Sequence, residues 1–184
     1  MSVTPAAIRL HHNAFVVRDQ RATRHFYEDL IGLPLAATWT EVDELFGKQR
    51  TYCHTFYALD DGGALAFFQF ADEDDQREFE PQFRPSPFVH IALKTTADSQ
   101  AAIESRLAAA DYAHFTLEHG YCTSLYATDP DGLIVEFTVD HPDVEQITAE
   151  RRQTAADDLE RWLGGDHSSN NTYRPGGRDV PLDR

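Results

Sequence analysis

The sequence predicts an α+β protein of two βαβββ modules whose strands form a cupped mixed sheet. Three observations predict this. Segment YCHTFYALDDGG (52–63) reads against YCTSLYATDPDG (121–132), matching Tyr52 with Tyr121, Cys53 with Cys122, Tyr57 with Tyr126 and Asp60 with Asp129 at an offset of 69. Upstream, HNAFVVRDQRATRHFYEDLIG (12–32) reads against HIALKTTADSQAAIESRLAAA (90–110) at an offset of 78. The order of elements repeats as well: a His-headed strand, a helix, a Tyr-bearing strand, a turn and a closing strand. A period near 70 residues is too long for a solenoid and fits duplicated modules.

The first module, 8–72, opens with an alternating strand over 8–17 that places Leu10, His12, Ala14 and Val16 on one face. Asp19 caps a helix to about residue 30, and Gly32 ends it. Strands follow near 35–41, 51–59 and 64–70, the last two joined by the DDGG turn. Residues 73–87 are acidic and Pro-bearing and read as a linker. The second module, 88–140, gives a strand at 88–94, a helix from about 98 to 110, and strands near 113–118, 121–127 and 133–139. Asp129-Pro130-Asp131-Gly132 is a turn by composition, with Pro fixing one φ and Gly accepting a positive one. Residues 141–165 hold a helix anchored by Val144, Ile147, Leu159, Trp162 and Leu163 and stopped by Gly164-Gly165. The polar, Pro/Gly-rich tail, 166–184, is expected to be mobile or to pack on a partner subunit.

At 184 residues and 41% hydrophobic, the chain can bury a proper core. No apolar run approaches the roughly 20 residues that span a bilayer, and the N-terminus does not read as a signal peptide. Two cysteines, Cys53 and Cys122, are too few for a disulfide scaffold and read as buried thiols in a cytoplasmic protein. Acidic residues outnumber basic ones 31 to 16, a net charge of −15. Such a surface repels phosphate, which excludes nucleic acid and anionic membranes as partners. Nine histidines point instead toward chemistry.

His12 and His90 each open their module's first strand, and Glu136 lies in the last strand of the second. In 88–94, Phe88, His90 and Ala92 share a face opposite Val89, Ile91 and Leu93; in 133–139, Leu133, Val135, Phe137 and Val139 oppose Glu136. The apolar faces can then pack on helices while His and Glu point into a concavity. Two His and one carboxylate with open positions form the ligand set of a non-haem Fe(II) centre and also suit Mn, Zn or Ni.

The stretch HGYCTSLYATDPDGLIVEF (119–137) resembles the signature of extradiol ring-cleavage dioxygenases, within the vicinal oxygen chelate superfamily that also holds glyoxalase I and bleomycin-resistance proteins. The opening LHHNAFVVRDQRATRHFYEDLIGLPL is similar to the start of that superfamily's module. The resemblance covers about 8–140. It implies His12, His90 and Glu136 as metal ligands, Tyr126 as the Tyr contacting bound substrate, and His119 as a hydrogen-bonding partner of substrate or oxygen. It further implies a divalent metal, Fe(II) first, a small catechol-like substrate with O₂, and a homodimer.

Gln69 of FFQFAD (67–72) is expected at the place of Glu136 of VEFTVD (135–140), with one residue of slip across DDGGAL. An amide there disfavours a ligand set with a carboxylate from each module, as in glyoxalase I. His54 is read as core or surface, His11 as structural and His25 as exposed. The rival functions are a glyoxalase-type isomerase or lyase, and a non-catalytic binder with walls of Phe56, Phe67, Tyr57 and Tyr126.

Overall fold

The computed structural model describes residues 9–80 and 88–174. Part of the expected linker (81–87) and the end of the tail (175–184) lie outside the described residues. The first module runs β1 (His12–Val16), α1 (Gln20–Arg24, continued by a wider π-type turn over His25–Ile31), β2 (Leu35–Leu45), β3 (Lys48–Ala58) and β4 (Ala64–Phe70). After α2 (Glu73–Phe79), the second runs β5 (His90–Lys94), α3 (Ala97–Ala109), β6 (His114–Glu118), β7 (Cys122–Thr128) and β8 (Ile134–Asp140), and α4 (Val144–Leu163) closes the series. Each module is a four-stranded mixed sheet, ordered β1-β4-β3-β2 and β5-β8-β7-β6, with its first strand parallel to its last. The protein is therefore α+β and built of two βαβββ modules. No described helix is long and apolar enough to cross a membrane.

Local chemistry explains the boundaries. Asp19 accepts from the Arg21 amide at the start of α1, and Gly32 ends the helix at φ +93°, a conformation that costs a residue with a Cβ. In α3, the Thr96 side chain accepts from Ser99 N in the same capping role. β2 and β3 run longer than the sequence pattern suggests because Phe46 and Gly47 both take positive φ and join them as one long hairpin.

One core serves both modules. Phe26, Tyr27, Leu30 and Ile31 of α1 meet Ile103 and Leu107 of α3, Tyr57, Leu65 and Phe67 of the first sheet, and Leu125, Val135 and Phe137 of the second. Arg106 of α3 reinforces this joint by donating to the Leu30 and Ile31 carbonyls at 2.6 and 2.8 Å, acceptors that the end of α1 leaves open. The Tyr27 hydroxyl donates to Asp129 at 2.9 Å from the other side. α1 packs on one face of the first sheet and α3 on one face of the second, and His12, His54, His90 and Glu136 lie on the opposite faces, where α2 covers only the Arg50–Phe70 end.

The repeat is real, but its register differs from the expected one. Leu59 N bonds Gly63 O at 2.8 Å and Asp129 N bonds Leu133 O at 2.8 Å, so the closing hairpins superpose at an offset of 70, not 69. Tyr52 takes the place of Cys122, and Tyr57 that of Ala127. Because strand side chains alternate, a slip of one residue exchanges the two faces.

The segment read as a linker carries structure, and the expected C-terminal helix forms with fewer anchors than its pattern suggests. Glu73–Phe79 is helical, capped by Asp72, and buries Asp75 against Arg50 of β3. Gln76 of α2 donates to Val17 O at 2.9 Å and accepts from Phe70 N at 2.8 Å, holding the ends of β1 and β4. In α4, Ile147 is buried, whereas Leu159, Trp162 and Leu163 remain exposed rather than anchoring the helix.

Candidate functional site

The helix-distal face of the second sheet gathers the residues with chemistry. His90 heads β5, and the parallel pairing of β5 with β8 sets Ala92 beside Glu136, so His90 and Glu136 are diagonal neighbours on one face. His90 Nε2 stands 2.9 Å from Glu136 Oε2. The other Glu136 oxygen accepts from Thr138 Oγ1 at 3.0 Å, and Thr138 Oγ1 is 3.1 Å from Ser124 Oγ. Tyr126 pairs directly with Glu136 across β7 and β8. Its hydroxyl lies 2.9 Å from His119 Nε2, and its ring stacks on Phe115 with centroids 4.8 Å apart.

Charge follows from this packing. Glu136 is only 6% exposed, and burial alone would push its carboxyl up. The hydroxyls of Ser124, Tyr126 and Thr138, with the charge of His90, outweigh that and hold it below the usual carboxylate range. Burial and the Glu136 charge push the Tyr126 phenol well up, so it stays a donor. Burial pushes the His119 imidazole down.

These residues fit a divalent cation. Two bonds of about 2.1 Å at right angles put donor atoms about 3 Å apart, which matches the separation of His90 Nε2 and Glu136 Oε2. Glu136 is ionised, and its second oxygen is held by a hydroxyl, as ligating carboxylates usually are. Among the described residues no third His, Cys, Asp or Glu completes a metal's ligand set.

His12 occupies the same place in the first module that His90 holds in the second: it pairs with Ala64, and His90 with Ile134. Its ring meets Phe56 at 5.7 Å and His54 at 6.5 Å, and its Nδ1 is 2.7 Å from His11 Nδ1. His11, expected on the opposite face, thus reaches His12 by its side chain. His54 lies on the helix-distal face and stacks on Phe68 at 3.7 Å, and its buried Nε2 has no hydrogen-bond partner. Its equivalent is Ser124, the residue beside Glu136, so sequence reasoning that set it as core or surface missed its position.

The expectation for Gln69 is corrected. Ala66, not Gln69, stands at the place of Glu136. Gln69 faces the helices and accepts from Gln20 N at 2.9 Å, which fixes the start of α1. The expected pocket wall is corrected likewise. Phe56 and Tyr126 face away from the helices, whereas Tyr57 and Phe67 are fully buried in the core. Ser124 and Thr138 were not singled out in the sequence; alternation from Glu136 would have placed Thr138 on its face.

Comparison with known proteins agrees with this architecture. Residues 9–137 match the Glyoxalase/Bleomycin resistance protein/Dioxygenase superfamily. No curated protein matches the sequence. Among solved structures, the chain is similar to a glyoxylase/bleomycin resistance protein/dioxygenase domain from Frankia sp. EAN1pec (17% identity, TM-score 0.53), covering 74% of this chain and 100% of that one. It is also similar to the fosfomycin resistance protein FosX from Listeria monocytogenes (14% identity, TM-score 0.53; 77% and 98% covered). A third is the oxidase ChaP-H2 (15% identity, TM-score 0.52; 73% and 94% covered). These identities speak to fold alone, and the match over 9–137 decides the family. With its two βαβββ modules, the chain belongs to the Glyoxalase/Bleomycin resistance protein/Dioxygenase superfamily.

Proposed function

We propose that the protein is a metal-dependent enzyme, an Fe(II) dioxygenase of the extradiol type, acting on a small catechol-like substrate. The observation that supports this best is a cluster of four side chains, three on one sheet face and one from the adjoining turn: His90 and Glu136 at 2.9 Å, with Tyr126 and His119 of the β6–β7 turn at 2.9 Å beside them. His90, Glu136 and His12 would hold the metal. When bound, it would lower the pKa of a substrate hydroxyl and mediate electron transfer between substrate and O₂.

The remaining steps fall to the chain's own groups. His119, kept neutral by burial, can take a proton from a substrate hydroxyl at Nε2 and return it later. Tyr126 stays protonated and can donate to the developing anion. Phe115 fixes the Tyr126 ring, and Phe56 supplies an apolar wall on the first sheet. Ala66 at the place of Glu136 leaves the first module no carboxylate there, which favours the two-His, one-carboxylate set over a glyoxalase-like one.

Within one chain His12 keeps company with His11, His54 and Phe56, apart from the His90–Glu136 pair. A homodimer in which His12 of one protomer completes the pair of the other accounts for this. The test is anaerobic reconstitution with Fe(II), then oxygen uptake with a panel of catechols. Uptake by wild type, and its partial recovery when His12→Ala and Glu136→Ala chains are mixed, is the expected result. Isomerisation of a hemithioacetal with Ni or Zn, without catechol-driven uptake, overturns the dioxygenase reading.

A further inference from the structure

The chain beyond α4 lies outside the family match and turns back over the turn that carries His119. Arg161 gathers this segment at its start, donating to Ser168 Oγ at 2.8 Å and Ser168 O at 3.0 Å. Asn171 Nδ2 then donates to the His119 carbonyl at 3.0 Å. The Tyr173 hydroxyl donates to Glu150 of α4 at 2.9 Å. At Gly120 the approach is so close that a Cβ would stand 2.3 Å from Tyr173 O and 2.8 Å from Arg174 N. Glycine is required there, and it lets residues 166–174 form a strap against the His119 turn. Glu118 holds that turn from beneath, accepting from Gly120 N at 2.7 Å and Thr123 Oγ1 at 2.6 Å.

Arg174 is therefore delivered next to His119. Its Nε is shielded from water and has no hydrogen-bond partner, and among the described residues no carboxylate pairs with its guanidinium. In this chain of net charge −15, Arg18, Arg24, Arg50, Arg77, Arg151 and Arg161 have acidic partners and Arg106 has carbonyl acceptors, while Arg21 and Arg152 are exposed to water; Arg174 is half-buried with neither. A partly buried guanidinium without an anion is costly, and its planar fork suits the two oxygens of a carboxylate. The Arg174 charge is felt at both His119 and Tyr121.

We propose that Arg174 is the anion receptor of this site, and that the strap carrying it selects a substrate with a carboxylate beside its vicinal oxygen pair. The proposal rests on reading the His90–Glu136–Tyr126–His119 face as the substrate site. The strap does not seat flush on α4: a cavity of about 490 Å³ separates them, lined by Tyr121, Ile147, Arg151, Asn170 and Tyr173. That gap gives the strap room to adjust to the ligand, and it holds rival cations in Arg151 and Arg152.

Calorimetric titration of the full chain separates these ideas. The probes are benzoate, 3,4-dihydroxybenzoate and unsubstituted catechol, added anaerobically with and without Fe(II). Wild type should bind 3,4-dihydroxybenzoate at least tenfold more tightly than catechol. Arg174→Ala should abolish that preference and weaken benzoate at least tenfold, Arg174→Lys should keep part of both, and Arg151→Ala and Arg152→Ala should change neither. Benzoate binding that is absent, unchanged in Arg174→Ala, or lost in Arg151→Ala or Arg152→Ala overturns the proposal. Arg174-dependent binding of benzoate, with neither catechol binding the Fe(II)-loaded chain, upholds the anion receptor and overturns the ring-cleavage reading.

Discussion

The Tyr126 hydroxyl lies 2.9 Å from His119 Nε2, which ties the β6–β7 turn to the strand facing Glu136. Tyr126 thereby connects a titratable imidazole to the carboxylate side of the site.

Replacing Tyr126 with Phe keeps the stacking on Phe115 and removes only the hydroxyl. Stability should change by no more than about 1 kcal/mol. Activity or metal affinity should fall roughly 10- to 100-fold, as for other groups that orient metal ligands. Denaturant unfolding and turnover, measured on the same sample, check both halves. A large loss of stability with unchanged turnover would reduce Tyr126 to a packing residue.

The His119 imidazole, pushed below its usual range by burial, makes a pH prediction. The native protein takes up a proton at His119 less readily than the unfolded chain. Stability is therefore lost as pH falls through the ordinary imidazole value of about 6.5. His119→Gln removes that linkage, so the variant should lose less stability than wild type between about pH 7.5 and about pH 5.5. Urea unfolding at the two pH values measures the difference; equal losses would mean that burial does not perturb His119.

Asp129 is buried at the joint between the modules, where it accepts from Leu133 N at 2.8 Å, Asp131 N at 2.9 Å and Tyr27 OH at 2.9 Å. Asp129→Ala orphans two backbone donors and should cost about 3 kcal/mol, whereas Tyr27→Phe should cost about 1 kcal/mol. Thermal unfolding of both variants ranks them. The reverse order would place the stabilisation in the phenol instead of the turn.

Gly120→Ala combines a positive φ of +84° with a clash against Tyr173 O. The strap should detach while the two sheets stay folded, at a backbone cost of about 1–3 kcal/mol. Hydrogen exchange would show lost protection confined to 166–174. Protection retained there would contradict the seating of the strap on the turn.

The sequence disclosed much of this fold through alternation and capping. His12, His90 and Glu136 sit on the faces that period-two patterning assigns, and Asp19 and Gly32 bound their helix as their chemistry requires. Register was harder. The Tyr-Cys pairs at 52–53 and 121–122 look alike, yet the backbone aligns Tyr52 with Cys122, one residue from the expected register, and Gln69 lies three residues from the place of Glu136, an odd step that puts it on the opposite face. Interactions between distant segments left no local pattern. Arg50 meeting Asp75 of α2, and Asn171 meeting His119, join residues 25 and 52 positions apart. His54 was ambiguous because a strand histidine beside Phe56 and Phe68 suits either a core or a site.

Whether His90 and Glu136 hold a divalent metal is read from the metal content of purified protein. After loading with Fe(II) and dialysis, wild type should retain about one equivalent per chain. His90→Ala and Glu136→Ala, with unchanged circular dichroism, should retain little. Equal metal content in all three proteins would mean that His90 and Glu136 hold no metal.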